Sequence, residues 1–198
     1  MIKRDECLKS LATIIAEDEV VVAAYTTAFE WDAIRPGPFN FISSGAMGLT
    51  SSHALGFALA WPGRRIILLD GDGSLLMNLG SLVTNANAAP KNLIHFVFEN
   101  GTYEANGGHP IPGQDSVNFA GMADSAGYNN CHELSDLPGF ENSIGSILQE
   151  EGPTFVTLKC ETGEDYPQDY RYMHSAKIRE EFAEAVKQAA VADQIILT

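Results

Sequence analysis

Short apolar runs alternate along the chain with longer segments of mixed, helical spacing. Leu8, Leu11, Ile14 and Ile15 recur at intervals of three and four, so residues 4–16 read as a helix with one apolar face. "VVVAAY" (20–25) is short and unbroken, which fits a strand. Residues 26–40, "TTAFEWDAIRPGPFN", hold no sustained period and contain a Pro-Gly-Pro break, so they read as a loop-rich connection. "FIS" (41–43) is the next strand, followed by a Gly-rich stretch and a small-residue helix from about Thr50. "RIILLD" (65–70) and "NLIHFVFE" (92–99) are continuously apolar, the pattern of strands covered on both faces, and residues 75–88 between them read as one helix. A helix near 117–126, a strand near 129–134, a helix near 138–150 and the strand "TFVTLKC" (154–160) repeat the alternation. A polar, Tyr-rich loop (161–173) then leads to a charged amphipathic helix at about 175–191.

Buried strands alternating with helices imply an α/β fold: three layers, with a central, mostly parallel sheet flanked by helices. No composition shift or internal repeat interrupts the pattern, so one domain over residues 1–198 is expected. Twelve basic residues against twenty-six acidic ones give a formal charge of −14. Nucleic acid and anionic membranes attract cationic surfaces, so neither is expected as a partner. No apolar run approaches the roughly 20 residues of a spanning helix. Cys7, Cys131 and Cys160 are widely spaced and form no CxxC pair, so neither a zinc knuckle nor an iron–sulfur ligand set is visible. Free or buried thiols and an acid-rich N-terminus with no signal-peptide core place the expected site of action in the cytoplasm.

The chemistry concentrates between Gly71 and Gly108. Residues 65–100 read as strand, Gly-Asp-Gly turn, helix, strand. A right-handed crossover makes the two strands parallel, so Asp72 and Asn100 both fall just past strand carboxyl ends, the edge where open α/β sheets bind ligands. A carboxylate and an amide oxygen are hard donors suited to Mg²⁺, which completes its shell with phosphate oxygens and water. The glycines beside Asp72 allow close backbone approach to a diphosphate, and Ser74 adds a hydroxyl.

"GDGS" and the strand-ending "EN" of "VFENGTYEANGG" resemble the diphosphate-binding signature of thiamine diphosphate enzymes. The pair Glu99-Asn100 departs from the family's Asn-Asn at its first position only. The resemblance implies thiamine diphosphate and Mg²⁺ as cofactors, with Asp72 and Asn100 as metal ligands by side chain and Thr102 by its carbonyl. It implies that Gly71, Gly73 and Ser74 lie against the diphosphate. Upstream, "SSGAMGLTSSHALGFALA" resembles the segment holding the aminopyrimidine end, with Met47 as the apolar wedge under the bent cofactor and the Gly45 carbonyl accepting from its amino group.

Single-chain members of this family are far longer and carry a second domain, the pyrimidine-binding one, which supplies a catalytic Glu. No room for that domain is expected here. Glu30, Glu99 and Glu104 lie in or near plausible site loops but match no such role. The resemblance therefore implies an alpha-type partner subunit and a hetero-oligomer. The order of segments, "NGTYEANGGHP" above all, is similar to the branch of split decarboxylases acting on sulfopyruvate or phosphonopyruvate. "HPIPG" and "TTAFEW" depart from that branch. The implied reaction is decarboxylation of a small 2-oxo acid to an aldehyde. A split carboligase, another 2-oxo acid enzyme and a non-catalytic cofactor-binding subunit are alternatives; a ferredoxin-coupled oxidoreductase is disfavoured for want of a Cys cluster.

His109 has an unperturbed pKa of about 6.5 and is the candidate catalytic proton donor; it also suits an anionic substrate tail or a plain polar loop. His53 reads as a packing residue, His95 as structural, and His132 and His174 carry no signal. Tyr166, Tyr170 and Tyr172 read as packing or interface residues.

Overall fold

The computed structural model describes residues 1–43, 47–163 and 168–193. Helix α1 (Arg4–Ile14) leads into β1 (Val20–Ala24), α2 (Tyr25–Ile34), β2 (Asn40–Ser43), α3 (Thr50–Ala60) and β3 (Ile66–Gly71). Then come α4 (Asp72–Leu76), α5 (Gly80–Ala88) and β4 (Leu93–Glu99). A small ribbon follows, β5 (Thr102–Tyr103) and β6 (His109–Pro110), with a 3₁₀ turn at Glu104–Asn106 between its arms. The chain continues through α6 (Phe119–Ala126), β7 (Asn130–Leu134), α7 (Leu137–Ile147), β8 (Thr154–Lys159), α8 (Tyr170–Met173) and α9 (Ala176–Ala192).

Six strands form one sheet in the order β2-β1-β3-β4-β8-β7, and every pairing in it is parallel. The three-layer α/β architecture expected from the alternation is present. β1 and β4 are buried along their whole length. The cause is visible in β1: Val21 and Ala23 face a core shared with α1, α2 and α7, while Val20 and Val22 face one shared with α3 and α9. Farther along the sheet, Val97 and Phe155 pack with α5 and α6. Period-two alternation therefore sorts residues between two apolar cores instead of between core and water.

Four departures from the sequence reading have physical causes. Residues 25–34 form a helix where a loop was expected. Thr26, Thr27, Ala28, Phe29 and Trp31 are buried nearly all round it, so no single apolar face was visible in its sequence. Trp31 Nε1 donates to Asn40 Oδ1 (2.9 Å), which ties this helix across the Pro-Gly-Pro turn to β2. The expected helix at 75–88 is two helices, α4 starting at Asp72 itself. Between them Asn78 N donates to Leu75 O and Ser81 N to Asn78 O, the i→i+3 bonds of a tightened turn. In α1 the buried stripe is Arg4, Cys7, Leu8 and Leu11, continued by Ile15 just past its end, while Ile14 turns outward at 44% exposure. The Tyr-rich loop contains the short helix α8, where Tyr170 sits edge-on to Phe29 at 5.0 Å and stacks on His174; Tyr166 lies outside the described residues. No helix among the described residues is long and apolar enough to cross a membrane.

Candidate functional site

Helix α2 crosses from β1 to β2 on one face of the sheet, and α3 returns from β2 to β3 on the other. The chain thus changes direction between β1 and β3, and their carboxyl ends part there as the two crossovers leave on opposite sides. Ligands of open parallel sheets bind at such a switch point. An open cleft occupies it. Its wall is built by Tyr25 and Thr26 after β1, Gly71 to Ser74 after β3, and Asn100 and Thr102 after β4.

Asp72 is 2% exposed at the cleft floor. Its Oδ1 accepts from Gly73 N (2.6 Å) and its Oδ2 from Gly101 N (2.7 Å). Burial pushes its carboxyl up to about 6; the N–H groups of Gly101, Gly73 and Asn100 pull the other way, and nearby Glu99 adds to the rise. The buried acid is thus held in place by backbone dipoles, each using one lone pair per oxygen. Asn100 Oδ1 accepts from Thr102 N (2.9 Å) and from Thr102 Oγ1 (3.2 Å). Two hard oxygen atoms from neighbouring strands therefore meet at one edge.

Two glycines have specific reasons to be glycine. A Cβ on Gly73 would stand 2.5 Å from Tyr103 Cδ1 and 2.7 Å from its Cε1, because that edge of the ring comes up against the backbone following β3. Gly48 has φ +83°, and a Cβ there would meet Met77 Cβ at 3.0 Å. Gly48 N donates to Ser74 Oγ (3.2 Å) and Gly48 O accepts from Asn78 Nδ2 (2.9 Å). These bonds lock the segment carrying Met47 onto the turn after β3. Asn106 Nδ2 in the 3₁₀ turn approaches Met47 Sδ at 3.7 Å from the opposite wall.

Of the residues singled out from sequence, Met47, Gly71, Asp72, Gly73, Ser74, Asn100 and Thr102 line this one cleft. Gly45 lies outside the described residues. His109 stands exposed on β6, opposite Tyr103 in the ribbon, and is not among the cleft-lining residues. His53 is half-buried, with Nδ1 3.0 Å from Ser43 Oγ and its ring edge-on to Phe41; burial lowers its pKa. His95 is fully buried, with Nδ1 3.2 Å from the Tyr128 hydroxyl. His132 pairs with Glu150. Glu99 is paired with Lys159 at 2.7 Å.

Several cleft residues escaped the sequence reading. Tyr25 takes a positive φ of 40° at the β1–α2 junction, rare for a bulky residue and found where surrounding structure enforces it. Arg4 is distant in sequence, yet the bridge between Ile2 and Cys160 brings the start of the chain beside the end of β8, so Arg4 reaches the cleft. A buried Arg on an apolar helix face was the available signal.

Fold and cleft together define a parallel α/β domain with an acidic, oxygen-lined site at its switch point. Residues 24–158 match the family described as thiamine pyrophosphate enzyme, C-terminal TPP binding domain. The chain belongs to that family. It is 34% identical over 163 residues to the sulfopyruvate decarboxylase subunit beta of Methanothermobacter thermautotrophicus, covering 82% of this chain and 84% of that one. It is 37% identical over 124 residues to the phosphonopyruvate decarboxylase of Streptomyces viridochromogenes, covering 63% of this chain but 31% of the relative. Benzoylformate decarboxylase from Polynucleobacter necessarius shares the fold, with a TM-score of 0.65 at 18% identity over 83% of this chain and 34% of that one.

Proposed function

We propose that this chain is the beta-type subunit of a split thiamine diphosphate-dependent decarboxylase acting on a small 2-oxo acid of the sulfopyruvate or phosphonopyruvate kind. The observation that carries the reading is Asp72: a buried carboxylate, raised in pKa and held by N–H groups, lining the same cleft as Asn100 with its amide oxygen. The relative named as a beta subunit, matched over most of its length, supports the split arrangement. The donor set suits Mg²⁺, and a divalent cation would neutralise the carboxylate that burial disfavours. The Thr102 hydroxyl, the longer of the two bonds to Asn100 Oδ1, is the one a cation would displace.

In this reading Asp72, Asn100 and the Thr102 carbonyl hold Mg²⁺. Gly71, Gly73 and Ser74 lie against the diphosphate, and the Tyr103 ring beside Gly73 fixes the width of that channel. Met47, on the cleft wall, would support the bound cofactor from its apolar side. Bound thiamine diphosphate supplies the electron sink that makes loss of CO₂ from a 2-oxo acid feasible. The protein positions the acid, excludes water and delivers a proton. His109, on the exposed ribbon, delivers it once the alpha-type partner, carrying the pyrimidine-binding domain and the catalytic Glu, completes the site.

The test is release of CO₂ and aldehyde from sulfopyruvate and phosphonopyruvate, by the chain alone and with the subunit that co-purifies from its source. The proposal expects release only from the reconstituted pair. No release from either acid, or formation of a joined carbonyl product when an aldehyde is added, would count against it.

A further inference from the structure

Three elements far apart in sequence converge behind Asn100. Arg4 of α1 donates from Nε to Glu30 Oε2 (2.6 Å) and from Nη2 to Glu30 Oε1 (3.0 Å), a two-pronged grip on a carboxylate of α2. Its Nη1 donates to Glu104 Oε2 in the 3₁₀ turn (2.6 Å). The three side chains are 3%, 10% and 21% exposed. Burial works against the Arg4 charge, but the hydrogen bonds it donates to both carboxylates, with their negative charges, outweigh it and leave the guanidinium pKa raised. Glu104 Oε1 also accepts from Gly163 N. So Glu104 is clamped on both oxygens, and its Oε2 keeps one further contact, accepting from Asn100 Nδ2 (3.1 Å).

That contact has a chemical consequence. An Asn side chain has an oxygen end and an NH₂ end of almost the same shape, and only the oxygen can ligate a cation. A carboxylate cannot donate, so Glu104 accepts only the NH₂ end. On the other side, the N–H and hydroxyl of Thr102 both donate to Oδ1. A flipped amide would set its oxygen against a carboxylate and its NH₂ against an N–H donor, losing charge-assisted and neutral bonds together. We infer that Glu104, clamped by the Gly163 N–H and by Arg4, which Glu30 grips in turn, is a positioning residue that fixes the Asn100 amide with its oxygen toward the cation site. The inference rests on the reading of Asn100 as a metal ligand. It makes the N-terminal helix a structural part of cofactor binding, with the Arg4 guanidinium committed to Glu30 and Glu104.

Titrating Mn²⁺ into the 198-residue chain with thiamine diphosphate present, and following free Mn²⁺ by electron paramagnetic resonance, tests it without any turnover. Glu104→Met keeps the length and removes the acceptor; it should weaken Mn²⁺ retention by about 10-fold or more, the usual cost of losing a group that orients a ligand. Glu104→Gln retains a carbonyl able to accept from both Arg4 and Asn100, and should bind several-fold tighter than Glu104→Met. In an Asn100→Ala background, Glu104→Met should change affinity by less than about twofold, because the residue it orients is gone. Equal losses for the Gln and Met variants, or an undiminished Glu104→Met effect without Asn100, would overturn the positioning role while leaving the cation site intact. Wild-type affinity in Asn100→Ala itself would overturn the underlying reading. Should Glu104→Met fail to fold, the wild-type chain decides by nuclear magnetic resonance. Two resolved, exchange-protected Asn100 NH₂ signals support the clamp; signals averaged and exchanging like those of an exposed Asn contradict it.

Discussion

Asp72→Asn separates what the buried carboxylate does for binding from what it does to the fold. The Asp72 carboxyl rises from its ordinary 3.8 to about 6 in the folded chain. Ionising it in the folded state therefore costs about 3 kcal/mol more than in the unfolded state. The sign follows from linkage: the folded pKa is raised, so its favourable contribution is complete below about pH 4 and is lost as pH climbs through 6. Above pH 7 the cofactor-free chain carries the whole penalty. Asn removes the charge and keeps one acceptor, but its NH₂ faces the N–H of Gly73 or Gly101, a loss of about 1 kcal/mol. The net expectation is that cofactor-free Asp72→Asn is about 2 kcal/mol more stable than wild type at pH 7.5 and about 1 kcal/mol less stable at pH 4. For a chain of this size each kcal/mol moves Tm by roughly 2–4 °C. Urea unfolding of both proteins in EDTA, across pH 4 to 8, measures the difference directly and cancels the other acids. The same variant should lose Mg²⁺-dependent cofactor binding. Parallel stability curves, with no crossing between pH 4 and 8, would refute the reasoning.

Gly73→Ala should be destabilising by about 1–3 kcal/mol in chemical denaturation because the new methyl enters the Tyr103 ring, although Gly to Ala inside a helix ordinarily stabilises; pairing it with Tyr103→Ala should remove most of that loss. Gly48→Ala should cost a similar amount, since it combines a positive φ with contact at Met77, and should reduce thiamine diphosphate affinity measured by calorimetry. Adding Mg²⁺ and thiamine diphosphate at a hundred times the dissociation constant should stabilise the chain by about 2.7 kcal/mol, and EDTA should reverse the gain in a thermal melt. His109→Asn should leave cofactor retention unchanged and slow aldehyde formation by the reconstituted enzyme by about 10²-fold or more; an unchanged rate would remove His109 from the proton-transfer role.

Much of this architecture is written in local pattern. Continuous apolar runs at 65–70 and 92–99 mark strands buried on two faces, and β3 and β4 occupy those positions side by side. Once two parallel strands are placed, Asp72 and Asn100 must share an edge, so their meeting was legible from sequence. The α2 helix was not, because its buried Thr and Ala residues carry little hydropathy contrast and its cover comes from tertiary neighbours. The same limit hid the Arg4 clamp: its partners are 26 and 100 residues away, and no local period encodes a contact made by the chain's return beside β8. Tyr103 over Gly73 is of this kind too, a requirement for glycine imposed from across the cleft. His109 was legible as a histidine of the segment after β4, but its position on the exposed ribbon depends on how β5 pairs with β6.

The most direct test is calorimetric titration of thiamine diphosphate into the 198-residue chain with and without Mg²⁺, for wild type and Asp72→Ala. The account predicts tight binding by wild type only when Mg²⁺ is present, and none detectable by Asp72→Ala. Binding by wild type that ignores Mg²⁺, or unaltered binding by Asp72→Ala, would contradict the assignment of the cleft at the β1–β3 switch point.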